Sequence, residues 1–364
     1  MYQNLMKYGF SDRFKQESAE YPGLFPARVT EQHRDLYVLV SENGNLNASV
    51  SGKLIYNADG NLDFPAVGDW VMINRTDSSS GNAVIHRILR RKSVFTRKAA
   101  GTGMNVQVIA ANIDTVFLCM SLNADFNPRR LERYLTVALD SLAKPIIVLT
   151  KSDLCEDLRE KLDEIAAISA SAGVVTCSSE NGDGVHEIAR LIELGDTAAF
   201  LGSSGVGKST LINRLLGEER LTAKSIREND GKGRHTTTHR QLFLLPNGGI
   251  VIDTPGMREL ALNSGDVARA FEDIEELAAR CKFKDCSHTG EPGCMVRTAI
   301  AGGSLSPQRF ESYKKLRREA DYTSMNSRQR DAEKLNRMFG SKKELQQFRK
   351  TVKAKGSRWN DKHH

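Results

Sequence analysis

No apolar run in the 364-residue sequence approaches the roughly 18 residues of a membrane-spanning helix, so no membrane partner is expected. The opening stretch, Met1 to Phe10, lacks the charged-then-apolar order of a secretory signal. Cysteine is scarce, and six residues are too few to staple a chain of this size. Three of them crowd into fourteen residues beside a histidine, which points to a metal site in a reducing compartment rather than to disulfides. The expected location is therefore cytoplasmic. Internal repeats are missing, and only Ser78-Ser79-Ser80 approaches low complexity. What remains is an ordinary globular composition, 40% hydrophobic and 27% charged, which excludes disorder throughout. The length suits two or three domains of roughly 100–200 residues.

The net charge of +7 is unevenly placed. From Pro307 to His364 there are 17 Lys+Arg against 7 Asp+Glu, whereas the first 306 residues carry 35 basic and 38 acidic side chains. A slightly acidic body thus bears a strongly basic tail, which favours a polyanion partner, nucleic acid before membrane.

Residues 1–20 are polar and patternless and read as an N-terminal extension. Five short apolar runs follow between 21 and 100: Ala27 to Val29, Leu36 to Val40, Ser49 to Tyr56, Trp70 to Ile73 and Ala83 to Leu89. Turn signals such as Asn43-Gly44 and Gly68-Asp69 separate them, so a small β-barrel of the OB type is expected, with a Greek-key sandwich as the alternative. Between 101 and 265 the pattern changes to α/β. Runs suited to buried strands (Asp114 to Met120, Pro145 to Leu149, Val174 to Cys177, Ala198 to Leu201, Ile250 to Ile252) alternate with amphipathic stretches. One helix over Val267 to Arg280, the Cys/His cluster and further helix occupy 266–320, and the basic tail runs from 321 to 364.

Gly202-Ser203-Ser204-Gly205-Val206-Gly207-Lys208-Ser209 meets the P-loop pattern in full, after a strand and at the start of a helix. The glycines let successive N–H groups turn toward phosphates, Lys208 reaches the β/γ oxygens and Ser209 ligates Mg²⁺. Thr150-Lys151-Ser152-Asp153 follows directly on the strand Pro145 to Leu149. Asp153 can accept from both N1–H and N2–H₂ of guanine while the stem of Lys151 packs on the ring. Adenine would leave that carboxylate unpaired, and sites of this kind discriminate by roughly 10⁴–10⁵. Asp253-Thr254-Pro255-Gly256 has the DxxG form, with Asp253 toward Mg²⁺ and the Gly256 N–H toward the γ-phosphate. Between these two motifs, the glycine segment from Gly231 to Thr238 offers a switch hydroxyl for Mg²⁺, assigned to Thr237 with Thr236 next. Cys177-Ser178-Ser179 is a candidate guanine-edge loop, an ordinary strand end being its alternative.

The base-reading motifs here precede the P-loop instead of following it. Closely spaced domain ends allow such relocation without changing the sheet, so a circularly permuted P-loop GTPase domain is expected. Its switch end then runs straight into Cys281, Cys286, His288 and Cys294. Three thiolates and one imidazole leave no open coordination position, which suits one structural Zn²⁺ in a helical C-terminal domain.

Taken together, the OB-like start, the order TKSD, CSS, GSSGVGKS, GRHTTT, DTPG, the Cys/His spacing and the phrase Gln107 to Asp114 resemble the bacterial small ribosomal subunit biogenesis GTPases. The resemblance covers roughly residues 21–320. It implies a monomeric GTPase, cycling between GTP and GDP with Mg²⁺. Such an enzyme binds the small ribosomal subunit and its rRNA late in maturation, is stimulated by that subunit, and dissociates after hydrolysis. The family's nucleotide residues fall on Thr150 to Asp153 and on Gly202 to Thr210, and its zinc ligands on the four residues above. Two other readings are a GTP-regulated RNA-binding scaffold with little turnover and a permuted GTPase acting on the large subunit; barrel and zinc domains on either side argue against the latter.

Where Ras-type enzymes carry a water-orienting Gln after the DxxG glycine, this chain has Met257, so unaided hydrolysis is expected to be slow. His235 is the in-chain substitute that can accept a hydrogen bond from water, and the resemblance points the same way. For RNA, Arg87, Arg90, Arg91, Lys92, Arg97 and Lys98 put six cations in twelve residues without an acid. Tyr56 and Trp70 could stack on bases, although barrel core is the expected role. Lys314, Lys315, Arg317 and Arg318, just ahead of the tail, add to its phosphate-seeking charge. The His235→Ala variant is predicted to keep its GTP affinity and lose subunit-stimulated hydrolysis; single-turnover assays with small subunits measure this, and unchanged turnover would refute the assignment.

Overall fold

Period-two apolar patterning between residues 25 and 88 closes on itself. The strands β1 (Phe25–Gln32), β2 (Tyr37–Ser41), β3 (Gly44–Val50), β4 (Trp70–Ile73) and β5 (Ala83–Ile88) pair in the order β1-β2-β3-β5-β4, and β4 returns to β1. Only β3 and β5 run parallel. The result is a five-strand closed barrel of OB type, and Val29, Leu39, Val71 and Ile85 fill its interior. The computed structural model behind this description covers residues 2–33, 36–79, 81–98, 106–169, 172–221, 240–253 and 264–324.

Two sequence expectations in this half are corrected. The first twenty residues are not a patternless extension, because α1 (Gln3–Lys7) and α2 (Asp12–Ala19) are built there. Leu5, Phe10 and Phe14 join Trp70, Met72 and Leu89 in a cluster on the outer wall of the barrel. The apolar spacing is too short to read as a helix, yet three large side chains suffice once a wall exists to receive them. The run Ser49 to Tyr56 is also not one strand. After β3, Ser51 accepts the Leu54 N–H at 3.2 Å and caps the short helix α3 (Gly52–Tyr56).

Next come β6 (Val94–Lys98) and β7 (Val106–Ala111), an antiparallel pair that the residue pattern did not announce. The α/β part follows as β8 (Thr115–Ser121), α4 (Pro128–Asp140), β9 (Lys144–Thr150), α5 (Leu158–Ala166), β10 (Gly173–Thr176), α6 (Val185–Arg190), β11 (Thr197–Leu201), α7 (Lys208–Leu216), β12 (Gln241–Leu244) and β13 (Ile250–Asp253). Its strand order is β10-β9-β8-β11-β13-β12, with all neighbours parallel except β12. Phe117 stacks on Phe200 and packs with Leu211 and Ile212 on one face. Leu118, Leu131 and Leu135 pack on the other. Barrel and α/β sheet are continuous, since Glu31 of β1 pairs with Gln241 of β12.

The expected helix over Val267 to Arg280 is divided. Phe271, with non-helical φ −124° and ψ 40°, separates α8 (Ser264–Ala270) from α9 (Glu272–Ala279) and is itself fully buried. Then come α10 (Met295–Ala301) and α11 (Pro307–Ser324). The joint between the halves is tight. Gly68 has φ +91°, and a Cβ there would lie 2.2 Å from the Ala111 carbonyl oxygen, so barrel and β7 approach at a point only glycine allows. Because Phe14 is 1% exposed and sits 5.7 Å from the Trp70 ring, Phe14→Ala should cost about 3–5 kcal/mol. Denaturant unfolding measures this; a terminal extension without a packing role would leave the midpoint unmoved.

Candidate nucleotide and metal sites

Parallel strands bring their carboxyl ends to one edge, and the described residues expected to bind nucleotide stand on that edge. Thr150 ends β9, Cys177 to Ser179 follow β10, Gly202 to Ser209 follow β11, and Asp253 ends β13. The P-loop strand β11 lies between β8 and β13, although it is fourth in chain order within this sheet. Neighbouring connections diverge to opposite sides there, which opens the crevice where α/β proteins bind ligands.

The loop is held in shape by several independent contacts. Gly207, at φ +97°, starts α7, whose first turn presents free N–H groups. Lys208 Nζ donates to the carbonyls of Gly202 (2.8 Å) and Ser203 (2.7 Å), which holds it over the loop. Thr150 Oγ1 donates to the Val206 carbonyl at 2.6 Å and ties the TKSD segment directly to the P-loop. Ser152 N–H donates to the Cys177 carbonyl, and Cys177 N–H to the Leu149 carbonyl, so TKSD and CSS lie side by side. Asp153 is exposed at this edge. Lys151 occupies the left-handed region at φ 59°, as the first residue of a sharp turn after β9.

Ser178 Oγ accepts from the N–H groups of Glu180 and Asn181, which makes it a loop-shaping residue. Ser179 Oγ is buried without a hydrogen-bond partner among the described residues. A buried hydroxyl left so is costly unless a ligand supplies the bond, as expected of a loop that meets a base edge. Burial pushes the Cys177 thiol up to about 12, with Asp153 reinforcing the shift. That leaves the thiol a packing group and no nucleophile. Asp253, on the strand beside β11, is raised by burial and drawn back by the charge of Lys208. Ser204, Ser209 and Thr210 occupy the loop and the first turn of α7 as the motif requires. His235, Thr236, Thr237, Gly256 and Met257 lie outside the described residues.

Two contributors escaped the motif reading. Arg130, near the start of α4, donates to Ser203 Oγ at 2.8 Å while pairing with both oxygens of Asp125. Arg214 of α7 donates to the carbonyls of Ser179 and Glu180 and fixes the CSS loop from below. Neither sits within a motif, and only the fold brings each to its partner.

Cys281, Cys286, His288 and Cys294 converge as their spacing predicts, with all four ligand atoms within 4.8 Å of one another. A tetrahedral zinc ion with Zn–S about 2.3 Å and Zn–N about 2.0–2.1 Å implies edges of about 3.8 Å between sulfurs and about 3.6 Å between sulfur and nitrogen. Cys281 and Cys294 sulfurs are 3.9 Å apart, and His288 Nδ1 lies 3.6 Å and 3.4 Å from them. The donor set fits zinc. Cys294 also caps α10, accepting the Arg297 N–H.

The basic run is divided by the fold. Arg91 forks onto buried Asp69 and onto the carbonyls of Leu62 and Phe64. Lys92 pairs with Asp114. Both are engaged in ion pairs within the fold and stay partly exposed, whereas Arg87 and Arg90 are exposed. The side chains of Arg97 and Lys98 lie outside the described residues. Trp70 is barrel wall at 1% exposure, but Tyr56, also expected in the core, is 90% exposed.

The strand order, the P-loop at its centre and the base-reading segments ahead of it define a P-loop GTPase with relocated chain ends. Residues 88–263 match the model of the RsgA GTPase family. A small ribosomal subunit biogenesis GTPase RsgA 2 of Lactiplantibacillus plantarum is 51% identical, over 95% of this chain and 97% of its own. The RsgA of Opitutus terrae is 46% identical, over 86% and 88%. Among solved structures, YjeQ from Thermotoga maritima aligns with a TM-score of 0.61 at 27% identity, covering 82% of this chain and 98% of its own. YloQ, titled a circularly permuted GTPase, shares the fold with a TM-score of 0.58 at 23% identity, covering 83% and 97%. The chain belongs to the RsgA family of small ribosomal subunit biogenesis GTPases and is a GTP hydrolase.

Thr150→Val keeps the shape of the side chain and deletes the bond to the P-loop. Its guanine-nucleotide affinity, read by fluorescent-GDP titration, should fall about tenfold, the value of a bond lost at a buried acceptor; equal affinity would show that the two segments bind independently.

Proposed function

We propose that this GTPase acts on the small ribosomal subunit late in its maturation, is stimulated there, and leaves once GTP has become GDP. The observation that carries the reading is relatedness across almost the entire chain, barrel and Cys/His module included, to proteins named for that task. Their shared name does not favour a scaffold without turnover or a large-subunit target.

In this reading Asp153 and Lys151 select guanine, and the P-loop amides from Gly202 to Ser209 cradle the phosphates. Ser209, Asp253 and Thr237 would hold Mg²⁺, which would supply charge neutralisation at the β- and γ-oxygens. Lys208 is already oriented by the Gly202 and Ser203 carbonyls, so little reorganisation is needed when GTP binds. His235 positions the water, and Gly256 senses the γ-phosphate. Cys281, Cys286, His288 and Cys294 would hold one structural Zn²⁺, which would stabilise a segment with few apolar residues of its own. Exposed Arg87 and Arg90, with the basic tail, contact rRNA. The protein works as a cytoplasmic monomer, with domains at 21–100, 101–265 and 266–320.

GTP turnover measured with purified small subunits, with large subunits and with neither tests the proposal. Stimulation of at least tenfold by small subunits alone is expected. Equal rates in all three, or stimulation by large subunits, would overturn it.

A further inference from the structure

A carboxylate stands beside the phosphate loop. Parallel pairing of β8 with β11, with Leu118 against Leu201, lays the loop after one strand next to the loop after the other. The first of these loops carries Asp125. Its N–H donates to Asn123 Oδ1 at 3.1 Å, and Asn127 caps α4 by accepting the Arg130 N–H at 3.2 Å, so both charged residues start from a braced backbone. Asp125 Oδ2 lies 3.5 Å from Ser203 Oγ. The carbonyl of that same Ser203 accepts from Lys208 Nζ at 2.7 Å. The acid therefore touches the residue that orients the lysine expected to meet the β- and γ-phosphates.

Such a placement is adverse by itself, because a carboxylate at the mouth of the loop repels an incoming polyphosphate. Arg130 offsets it. Its Nη1 and Nη2 reach the two oxygens of Asp125 at 3.0 and 3.2 Å, and Nη1 also donates to Ser203 Oγ at 2.8 Å. One guanidinium thus neutralises the acid and tethers the loop. The two side chains are 30% and 46% exposed, and pairs this open to water add little to fold stability. The P-loop pattern places no demand on the second residue of the loop, and Arg130 stands 73 residues ahead of it in the chain, so no motif announces the contact.

We infer that Arg130 is a positioning residue for GTP: it screens Asp125 from the phosphates and holds Ser203, whose carbonyl orients Lys208. This rests on the reading of Gly202 to Ser209 as the phosphate cradle, and it deepens that reading. Asp125 in turn holds the guanidinium against the loop. The pair favours GTP over GDP, because the nucleotide with the extra phosphate carries more negative charge and gains more from the screening.

The test uses the full chain with Mg²⁺, titrated with fluorescent GDP and with a fluorescent, non-hydrolysable GTP analogue. In about 50 mM salt, Arg130→Ala should weaken binding of the GTP analogue roughly tenfold and of GDP roughly threefold. At about 500 mM salt both losses should fall below about twofold, since the repulsion is then screened. Adding Asp125→Asn to Arg130→Ala should return the analogue's affinity to within about threefold of the parent, because the charge to be screened is gone. Unaided hydrolysis is expected to be slow, so KM follows affinity and should rise about tenfold in Arg130→Ala, with kcat within about twofold of the parent.

Parent-like GTP affinity in Arg130→Ala overturns the inference. So does a loss that Asp125→Asn leaves unrepaired or that high salt leaves intact, since either would mark a purely structural contact. A fall in kcat at constant KM also overturns it, in favour of a group acting on the transition state. Lys208→Ala separates this inference from the reading beneath it. If that variant binds GTP as the parent does, the cradle is wrongly placed and the inference falls with it. If it loses affinity while Arg130→Ala does not, the cradle stands and only the inference falls.

Discussion

One buried guanidinium joins the parts of this molecule. Arg28, 1% exposed in β1, donates to the Tyr8, Gly68 and Asn112 carbonyls and to Thr197 Oγ1. Those acceptors belong to the N-terminal helices, the barrel, the β7–β8 link and the strand that leads into the P-loop. Burial lowers its pKa to about 10, with Asp114 and Asp69 opposing the shift, so it stays charged at neutral pH. Its face lies over Trp70, 5.4 Å from the ring. A buried cation is tolerable only where its donors are satisfied. Here each acceptor comes from a different segment, and the charge thereby fixes where the barrel sits on the sheet.

From that joint, contacts run from the nucleotide edge toward both flanks. On the barrel side, Gln241 stands opposite Asp253 on one neighbour and opposite Glu31 on the other, and its amide bonds Glu31 at 2.6 Å. On the C-terminal side, α4 carries Arg130 against P-loop Ser203 and buried Glu132 against Arg309 of α11. Arg309 also forks onto Asp273 of α9, and Arg133 pairs with Glu319. These contacts join the nucleotide edge to the barrel and to the Cys/His module alike.

Much of this was legible from the residues because the signals are local. The P-loop needs its glycines and lysine within eight positions, and four metal ligands need only short turns between them. Strands such as Ile250–Asp253 are short apolar runs that any environment would bury. Legibility failed where the partner is distant. The helices over Gln3–Ala19 are too short to nucleate alone and form against Trp70. The strands β6, β7 and β12 lack a distinct period and take their conformation from the neighbour each pairs with. Arg91 and Lys92 belong to a run that reads as a basic surface, and only the fold brings Asp69 and Asp114 to pair with them.

The sequence by itself determined the chemistry: phosphate and guanine recognition, the Cys₃His ligand set, and the relocated order of the motifs. Each depends on residue type and spacing along a few consecutive positions, where covalent geometry restricts the outcome. The tertiary structure alone decided which charges face water, which tyrosine stands exposed, and how barrel, sheet and metal module are joined. Those outcomes depend on contacts between segments tens to hundreds of residues apart, and burial is a property of the assembled neighbours rather than of the residue.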